Sequence, residues 1–336
     1  MRFYRSLWPT RSVRSIKLKG TLPKTRPAQH TLSRPKILFH LTVTSSLASR
    51  IIGGEPAKKN AYPEFVFLEV TLRDSDGRTL LSSCGGTLIA KNLVLTASHC
   101  VDFKNGVTIT GGTALKGNIR HKKGIFSADH QARFKKWIKN PKFMDAKFDG
   151  HDIAVIVLES SLPGPFAKLA TEREEPPVGA SVTVVGFGMN NDYLVPLPPG
   201  TFPGQTGVEV QGSAPNKLYA VELTVGQANV EPCPKERAGP RPLWFTPEKE
   251  FCYYGEEFYV KEDANYGSNG GIGIKNDCNG DSGGPSFYNG LQVGLVSRGG
   301  EGMCGYSFRS PYTVHTKVSA HRRFFIKRMI NKYAKS

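Results

Sequence analysis

Short apolar segments separated by turn-forming residues are the main pattern of the chain after residue 50. EFVFLEVTL (64–72) is followed by the polar turn DSDGR (74–78), and TLLSSCGGTLIA (79–90) resumes the apolar pattern. Further segments of this kind lie at 93–97, 152–158, 181–186 and 217–225. Many short strands joined by Gly- and Pro-containing turns are typical of β-barrels and β-sandwiches, so the pattern predicts an all-β fold.

A hairpin and two long loops interrupt or extend this pattern. In PSFYNGLQVGLVS (285–297), Asn289-Gly290 lies between two apolar runs, which is a strong signal for a two-residue β-hairpin turn. The stretch 188–215 holds five Gly and five Pro, and 253–277 is another long stretch that includes YGSNGGIG. Loops of this length without structure of their own are uncommon, so we expect both to be functional or disordered.

The last residues follow a different period. The segment 319–335 has Lys and Arg on most faces and four apolar residues at helical spacing. These apolar residues are Phe325, Ile326, Met329 and Ile330. We predict a C-terminal helix that docks on its own domain, with membrane binding by a basic amphipathic helix as the alternative.

Charge is distributed unevenly along the 336 residues. The formal net charge is +17, but residues 1–50 alone hold 11 Lys and Arg and no acidic residue, whereas 51–336 have a net charge of +6. No basic stripe interleaved with aromatic residues is present, so we expect no nucleic-acid partner. No run of 18 apolar residues is present either, so we expect no membrane span.

The basic segment 1–50 is predicted to be a leader that precedes one domain at 51–336. Two targeting functions fit its composition. Its Ser-rich, acid-free sequence is typical of a mitochondrial presequence, but KILFHLTVTSSLAS (36–49) has the basic start, apolar stretch and small residues of a secretory signal. We favour secretion, because the cysteine usage suits an oxidising compartment.

Three stretches supply the groups that serine nucleophilic catalysis requires: a base, a carboxylate that orients the base, and a hydroxyl beside oxyanion donors. LTASHC contains His99, GHDIAVIVL places Asp152 at the head of an apolar strand, and CNGDSGGP places Ser282 in a glycine-rich turn. Each stretch alone has a plain alternative, as a surface histidine, a turn cap or a linker. Their joint occurrence in this order points to chemistry.

Together with RIIGG (50–54), these stretches resemble the trypsin/chymotrypsin family of serine proteases over roughly 51–336. The resemblance implies two packed six-stranded antiparallel β-barrels with a C-terminal helix. It implies His99 as general base and acid, Asp152 as orienting carboxylate and Ser282 as nucleophile. It also implies an oxyanion hole formed by the amides of Gly280 and Ser282.

The resemblance further implies an inactive precursor. Cleavage after Arg50 would free the α-ammonium of Ile51, which in this family turns inward and pairs with the aspartate before the nucleophile, here Asp281. That ion pair orders the oxyanion hole and the specificity pocket.

The six cysteines allow 15 pairings on their own. The family pattern selects Cys84–Cys100, Cys233–Cys252 and Cys278–Cys304. The chain has no C-x-x-C and no H-E-x-x-H sequence, so we expect no metal and no cofactor.

The residues of the predicted specificity pocket point to different substrate preferences. Family members that cleave after Lys or Arg carry an aspartate where this chain has Asn276, and here the carboxylate lies one position later, at Asp277. The resemblance gives four further pocket positions. They are Ser297, which in the family hydrogen-bonds the catalytic aspartate, Arg298 in place of a tryptophan, Gly299 at an open pocket mouth and Thr313 in place of a glycine.

We expect basic side chains before the scissile bond first, because a carboxylate at the pocket floor is costly to leave unpaired. Small or polar side chains come second, since Thr313 would narrow the pocket. A third interpretation is that Asp277 bonds nearby backbone and selects nothing. Arg298 would place a cation beside the substrate groove.

The predicted function is therefore a secreted, monomeric serine endopeptidase that acts on proteins or peptides, with protein inhibitors as further partners. A catalytically silent homologue that acts as a binding module is the alternative. Such homologues usually lose a member of the triad, whereas this chain retains all three.

Overall fold

The computed structural model describes residues 51–104, 106–122, 125–144, 150–188, 193–196, 208–211, 217–233, 245–260, 271–299 and 312–335. These residues belong to one compact unit. The predicted leader lies outside them, so the domain boundary at residue 50 stays a prediction.

Six antiparallel strands close a first barrel. They are β1 (Phe65–Arg73), β2 (Thr79–Ala90), β3 (Leu93–Thr96), β4 (Thr108–Lys116), β5 (His130–Lys139) and β6 (Ala154–Leu158). Their order around the barrel is β1-β2-β3-β6-β5-β4, and β4 pairs back to β1. Alternate side chains such as Leu68, Val70 and Ile156 fill the interior, as the period of a strand with one buried face requires.

Six later strands close a second barrel. They are β7 (Ser181–Gly186), β8 (Tyr219–Val225), β9 (Glu250–Tyr254), β10 (Pro285–Tyr288), β11 (Leu291–Gly299) and β12 (Thr313–Lys317). Their order is β7-β8-β9-β12-β11-β10, and β10 pairs back to β7. The connectivity repeats that of the first barrel, although the sequence shows no repeat. The prediction of two six-stranded antiparallel barrels is confirmed.

The hairpin prediction is also confirmed. Strands β10 and β11 pair across Asn289-Gly290, and both turn residues have positive φ, 49° and 74°. A two-residue turn with this conformation matches the right-handed twist of the strands, and Asn and Gly tolerate positive φ better than other residues.

The two long segments are not without structure, which corrects the prediction for 188–215 and 253–277. Strand Tyr193–Pro196 pairs with Val208–Gln211 in the first segment, and Glu257–Val260 pairs with Gly271–Ile274 in the second. Two shorter ladders complete the sheets: Glu55–Pro56 pairs with β8, and Arg120–Lys122 pairs with Ile125–Ser127.

A short 3₁₀ helix spans Glu172–Glu174, and the predicted C-terminal helix is present. It consists of α1 (Val318–His321), a π-helical turn (Arg322–Ile326) and α2 (Lys327–Tyr333). No helix in the described part of the chain is long and apolar enough to cross a membrane.

Two apolar clusters contain residues of both barrels. One contains Phe67 of β1 with Val185 of β7 and Phe287 of β10. The other contains Val155 of β6, Leu295 of β11 and Phe325 of the C-terminal helix. The helix therefore follows the second barrel in sequence but packs against strands of the first, so the chain end ties the two barrels together.

Candidate active site

Asp152 is the buried charge at the junction of the two barrels. It precedes β6 and is 1% exposed. The backbone amide of His99 donates to its Oδ1 at 2.9 Å, His99 Nδ1 lies 2.7 Å from Oδ2, and Ser297 Oγ of β11 donates to Oδ2 at 2.6 Å. Burial alone would raise the pKa of this carboxyl, but His99 and the hydrogen bonds from His99 and Ser297 lower it overall.

His99 lies in the turn after β3, and its neighbours fix it on both sides. Ser98 Oγ donates to Ile153 O at 2.7 Å, which ties this turn to the segment that carries Asp152. The disulfide Cys84–Cys100 ties the next residue to β2. The imidazole is therefore held by its sequence neighbours and oriented by the carboxylate through Nδ1.

The turn that carries Ser282 packs directly on β2. Gly85 N donates to Ser282 O at 2.8 Å. A Cβ on Gly85 would lie 2.7 Å from Gly284 Cα, so only glycine permits this approach. Cys100 Sγ lies 3.6 Å from Ser282 O and 3.9 Å from His99 Nε2, which places the serine turn beside the imidazole. Among the described residues no hydrogen bond joins Ser282 Oγ to His99 Nε2.

The backbone amides of this turn fall into two sets. Asp281 N, Gly283 N and Gly284 N donate to carbonyl oxygens of the turn or of β11. Within the described part of the chain, the amides of Gly280 and Ser282 donate no hydrogen bond, and Gly280 has a positive φ of 95°. Two unused amides that flank a serine are what an oxyanion requires.

Asp281 is fully buried, and its carboxylate accepts hydrogen bonds from Gly188 N and Cys278 N. Burial, together with the nearby charge of Asp277, raises the pKa of Asp281 to about 8 despite these two bonds. Ile51 is also fully buried, and Ile52 O accepts a hydrogen bond from Asn276 N. The segment after the predicted cleavage point is thus already docked beside the pocket residues.

The floor of the predicted pocket is a polar cluster around Asp277. His315 Nε2 donates to Asp277 Oδ2 at 2.8 Å, and Thr313 Oγ1 lies 3.0 Å from the same oxygen. Asn276 Oδ1 accepts from Asp277 N, and Gly299 lies exposed at the end of β11. His315 Nδ1 is buried and has no hydrogen-bond partner among the described residues.

His315 was not among the residues predicted from the sequence, although Thr313 and His315 are two residues apart on one strand and so face the same side. Glu250 was not predicted either, and it changes the interpretation of Arg298. Arg298 Nη1 and Nη2 lie 2.5 Å and 3.2 Å from the two carboxylate oxygens of Glu250 on β9. The cation expected at Arg298 is therefore paired with a buried carboxylate, and its place beside the substrate groove stays a prediction.

Two of the predicted disulfides, Cys84–Cys100 and Cys233–Cys252, are present. Cys278 is disulfide-bonded, but Cys304 lies outside the described residues, so that pairing stays a prediction. Ligand-type atoms of Cys84, His99 and Cys100 lie within 4.8 Å of one another. The two sulfurs are bonded to each other, so neither offers a thiolate to a metal.

Comparison with known proteins gives matches over most of the chain. The family model described as Trypsin matches residues 51–198. The chain is 30% identical to a trypsin-like protease of Streptomyces glaucescens, over 75% of this chain and 73% of that one. It is 25% identical to chymotrypsin-like elastase family member 1 of Homo sapiens, over 81% and 90% of the two chains.

The fold also matches a solved structure. HL collagenase superposes with a TM-score of 0.57 at 18% identity, covering 85% of this chain and all of that one. At this identity the match bears on the fold alone, and it agrees with the two barrels described above.

The raised pKa of Asp281 predicts a pH-dependent stability of the uncut chain. Because its value in the folded chain, about 8, lies above the ordinary 3.8, the folded chain binds this proton more tightly than the unfolded chain does. The contribution is complete below about pH 4 and is lost as the pH rises through 8. We expect the urea midpoint of the uncut chain to fall between pH 5 and 9, and to fall less in Asp281→Asn.

The exposed Asp76 gives a matched control, since Asp76→Asn also removes one carboxylate. That variant should keep the pH dependence of the unsubstituted chain. An equal loss of pH dependence in both variants, or no loss in Asp281→Asn, would contradict the assignment.

Proposed function

The chain belongs to the trypsin family of serine endopeptidases, and we propose that Ser282 is its nucleophile, His99 its general base and Asp152 the carboxylate that orients His99. The observation that carries the proposal is the contact between Asp152 and His99. One carboxylate oxygen of Asp152 lies 2.7 Å from His99 Nδ1, and the other accepts a hydrogen bond from the backbone amide of His99. With Nδ1–H bound to the carboxylate, Nε2 is the nitrogen with a lone pair for the serine proton.

In the proposed reaction, His99 Nε2 takes the proton of Ser282 as the hydroxyl attacks the carbonyl carbon of the peptide. The oxyanion that forms is stabilised by the amides of Gly280 and Ser282, which have no other acceptor among the described residues. His99 then protonates the leaving amine, and an acyl-enzyme remains. A water molecule, activated by the same imidazole, hydrolyses the acyl-enzyme and restores the serine.

Activation by cleavage after Arg50 is part of the proposal. Ile51 has a φ of 48°, in the left-handed region that β-branched residues avoid. Hydrolysis of the Arg50–Ile51 bond removes this torsion, because φ is defined by the bond to residue 50. The same step creates an α-ammonium on a buried residue and so supplies a cation for Asp281, whose pKa it would lower.

We propose that the enzyme is secreted and acts as a monomer on protein or peptide substrates, with protein inhibitors as further partners. Two disulfides in the described residues, and a disulfide-bonded Cys278, suit an oxidising compartment. The signal-like layout of 36–49 supports the same compartment. The intact mass of the protein found outside the cell checks this proposal. A full-length chain that stays inside the cell and still carries residues 1–50 would contradict it.

For the residue before the scissile bond, we propose Lys or Arg. Asp277 is buried, and among the described residues no Lys or Arg side chain pairs with it. The hydrogen bonds that the carboxylate accepts from described residues all end on Oδ2, so Oδ1 is the oxygen for a substrate cation. A buried carboxylate that has no Lys or Arg partner is stabilised most by a cation that the substrate brings.

A fluorophosphonate that labels reactive serines tests the function itself. We expect the chain cut after Arg50 to be labelled and Ser282→Ala not to be labelled, since only an activated hydroxyl reacts at a measurable rate. The uncleavable Arg50→Gln variant should react at least about 100-fold more slowly. It cannot form the proposed ion pair between the Ile51 ammonium and Asp281, which would order the oxyanion hole, and loss of oxyanion stabilisation costs that order of rate. Equal labelling of cut and uncut chains would contradict the activation step, and labelling of Ser282→Ala would contradict the nucleophile.

A panel of peptide amides that differ only before the scissile bond tests the specificity. We expect Arg and Lys substrates to be cleaved best and Asp277→Asn to lose about 100-fold in kcat/KM on them, while Ala substrates change little. The control is Glu256→Gln, which removes an exposed carboxylate paired with Lys275 and should leave the preference intact. If the unsubstituted enzyme prefers small side chains, the proposed preference for Lys or Arg is wrong. The prediction that Thr313 narrows the pocket is then favoured.

A further inference from the structure

The C-terminal helix contacts the segment that carries Asp152, and we propose that His321 is a positioning residue that sets the orientation of the Asp152 carboxylate. The inference rests on the proposed role of Asp152. No feature of the sequence singled out His321, which is far from the three candidate stretches along the chain.

The contact is direct and specific. His321 is 5% exposed, and its Nε2 donates to Gly150 O at 2.7 Å, two residues before Asp152. Its Nδ1 lies 3.4 Å from Nδ2 of the buried Asn140, which can donate to it. One ring nitrogen thus donates and the other accepts, so a single neutral tautomer satisfies both contacts.

The same network holds the other side of Asp152. Asn140 N donates to Ile153 O at 2.9 Å, and Ser98 Oγ donates to the same carbonyl at 2.7 Å. The short segment 150–153 that carries Asp152 is therefore held by hydrogen bonds at its start, to Gly150 O, and at its end, to Ile153 O. Ser98 precedes His99, so the network that ends on His321 also reaches the base.

The shape of the helix brings His321 to this position. The π-helical turn begins directly after it, and Lys327 N bonds to Arg322 O, five residues back. The wider turn lets His321, Phe325 and Ile326 all lie buried against the first barrel while Phe324 is 77% exposed. Single π-helical turns inside helices are frequent at functional sites.

The surroundings keep the imidazole neutral. Burial is the main cause, and the ring of His151 at 5.3 Å with the cations Lys249 and Lys142 adds to it. They lower the pKa of His321 to about 4, against the effect of the Gly150 hydrogen bond. The donor and acceptor roles of the ring therefore hold at neutral pH.

The rate of fluorophosphonate labelling tests the proposal without any assumption about substrate specificity. For the cut chain we compare the maximal rate constant and the half-saturating concentration of the reagent. In His321→Met, which keeps size and loses both polar contacts, the rate constant should fall about 10-fold with half-saturation unchanged, because a small displacement of the oriented carboxylate slows the chemical step. His321→Gln, whose amide can donate to Gly150 O, should recover to within about threefold.

Met329→Ala is the matched control. Met329 is buried on the same helix and belongs to the apolar cluster that joins this helix to the first barrel, so its truncation should lower the melting temperature and leave the rate constant within about twofold. If His321→Met does not fold, His321→Asn decides, since its shorter side chain cannot reach Gly150 O. An unchanged rate constant in His321→Met, or in His321→Asn where the methionine variant does not fold, would overturn the proposal, as would an equal loss in Met329→Ala. Absence of labelling in the unsubstituted cut chain would instead overturn the proposed function.

Discussion

The buried carboxylate of Asp152 is the constraint on which the rest of the structure depends. An ionised group removed from water costs several kcal/mol unless donors replace the lost solvation. Here the donors come from both barrels: the amide and ring of His99 from the first and the hydroxyl of Ser297 from the second. The two barrels must therefore meet in one relative placement, and the glycine contact between Gly85 and the serine turn is compatible only with that placement.

The second barrel contains buried charge that is balanced in different ways. Glu250 forms a buried ion pair with Arg298, so its charge is balanced by a side chain of the same barrel. Asp277 and Asp281 have no Lys or Arg partner among the described residues, and the nearby charge of Asp277 adds to the burial that raises the pKa of Asp281. Under the proposed function, this barrel would receive two cations, one from the N-terminus that cleavage creates and one from a substrate, and each would offset part of the cost of a buried carboxylate.

The sequence predicts the fold class, the helix, the NG hairpin and eight of the twelve barrel strands, because those segments alternate or run apolar. Strands β4 and β5 lack this pattern: TITGGTALK is rich in glycine, and HQARFKKWIK exposes lysines on its outer face while Phe134 points inward. Strands β9 and β12 were not predicted either, and each is only five residues long. The candidate triad follows from local motifs. Glu250 and His315 do not, since their importance comes from register across strands, which no local pattern encodes.

The repeated connectivity of the barrels has a consequence for how the molecule could be divided. A cut in the linker 159–180 would leave His99 and Asp152 on one fragment and Ser282 and Ser297 on the other, so neither piece would own a complete set. Each fragment would also expose the aromatic surface that now joins the barrels, with Phe67 on one piece and Phe287 on the other. The proposed catalytic residues would come together again only if the two fragments reassembled. The aromatic surface and the C-terminal helix, which packs on the first barrel, would favour that reassembly.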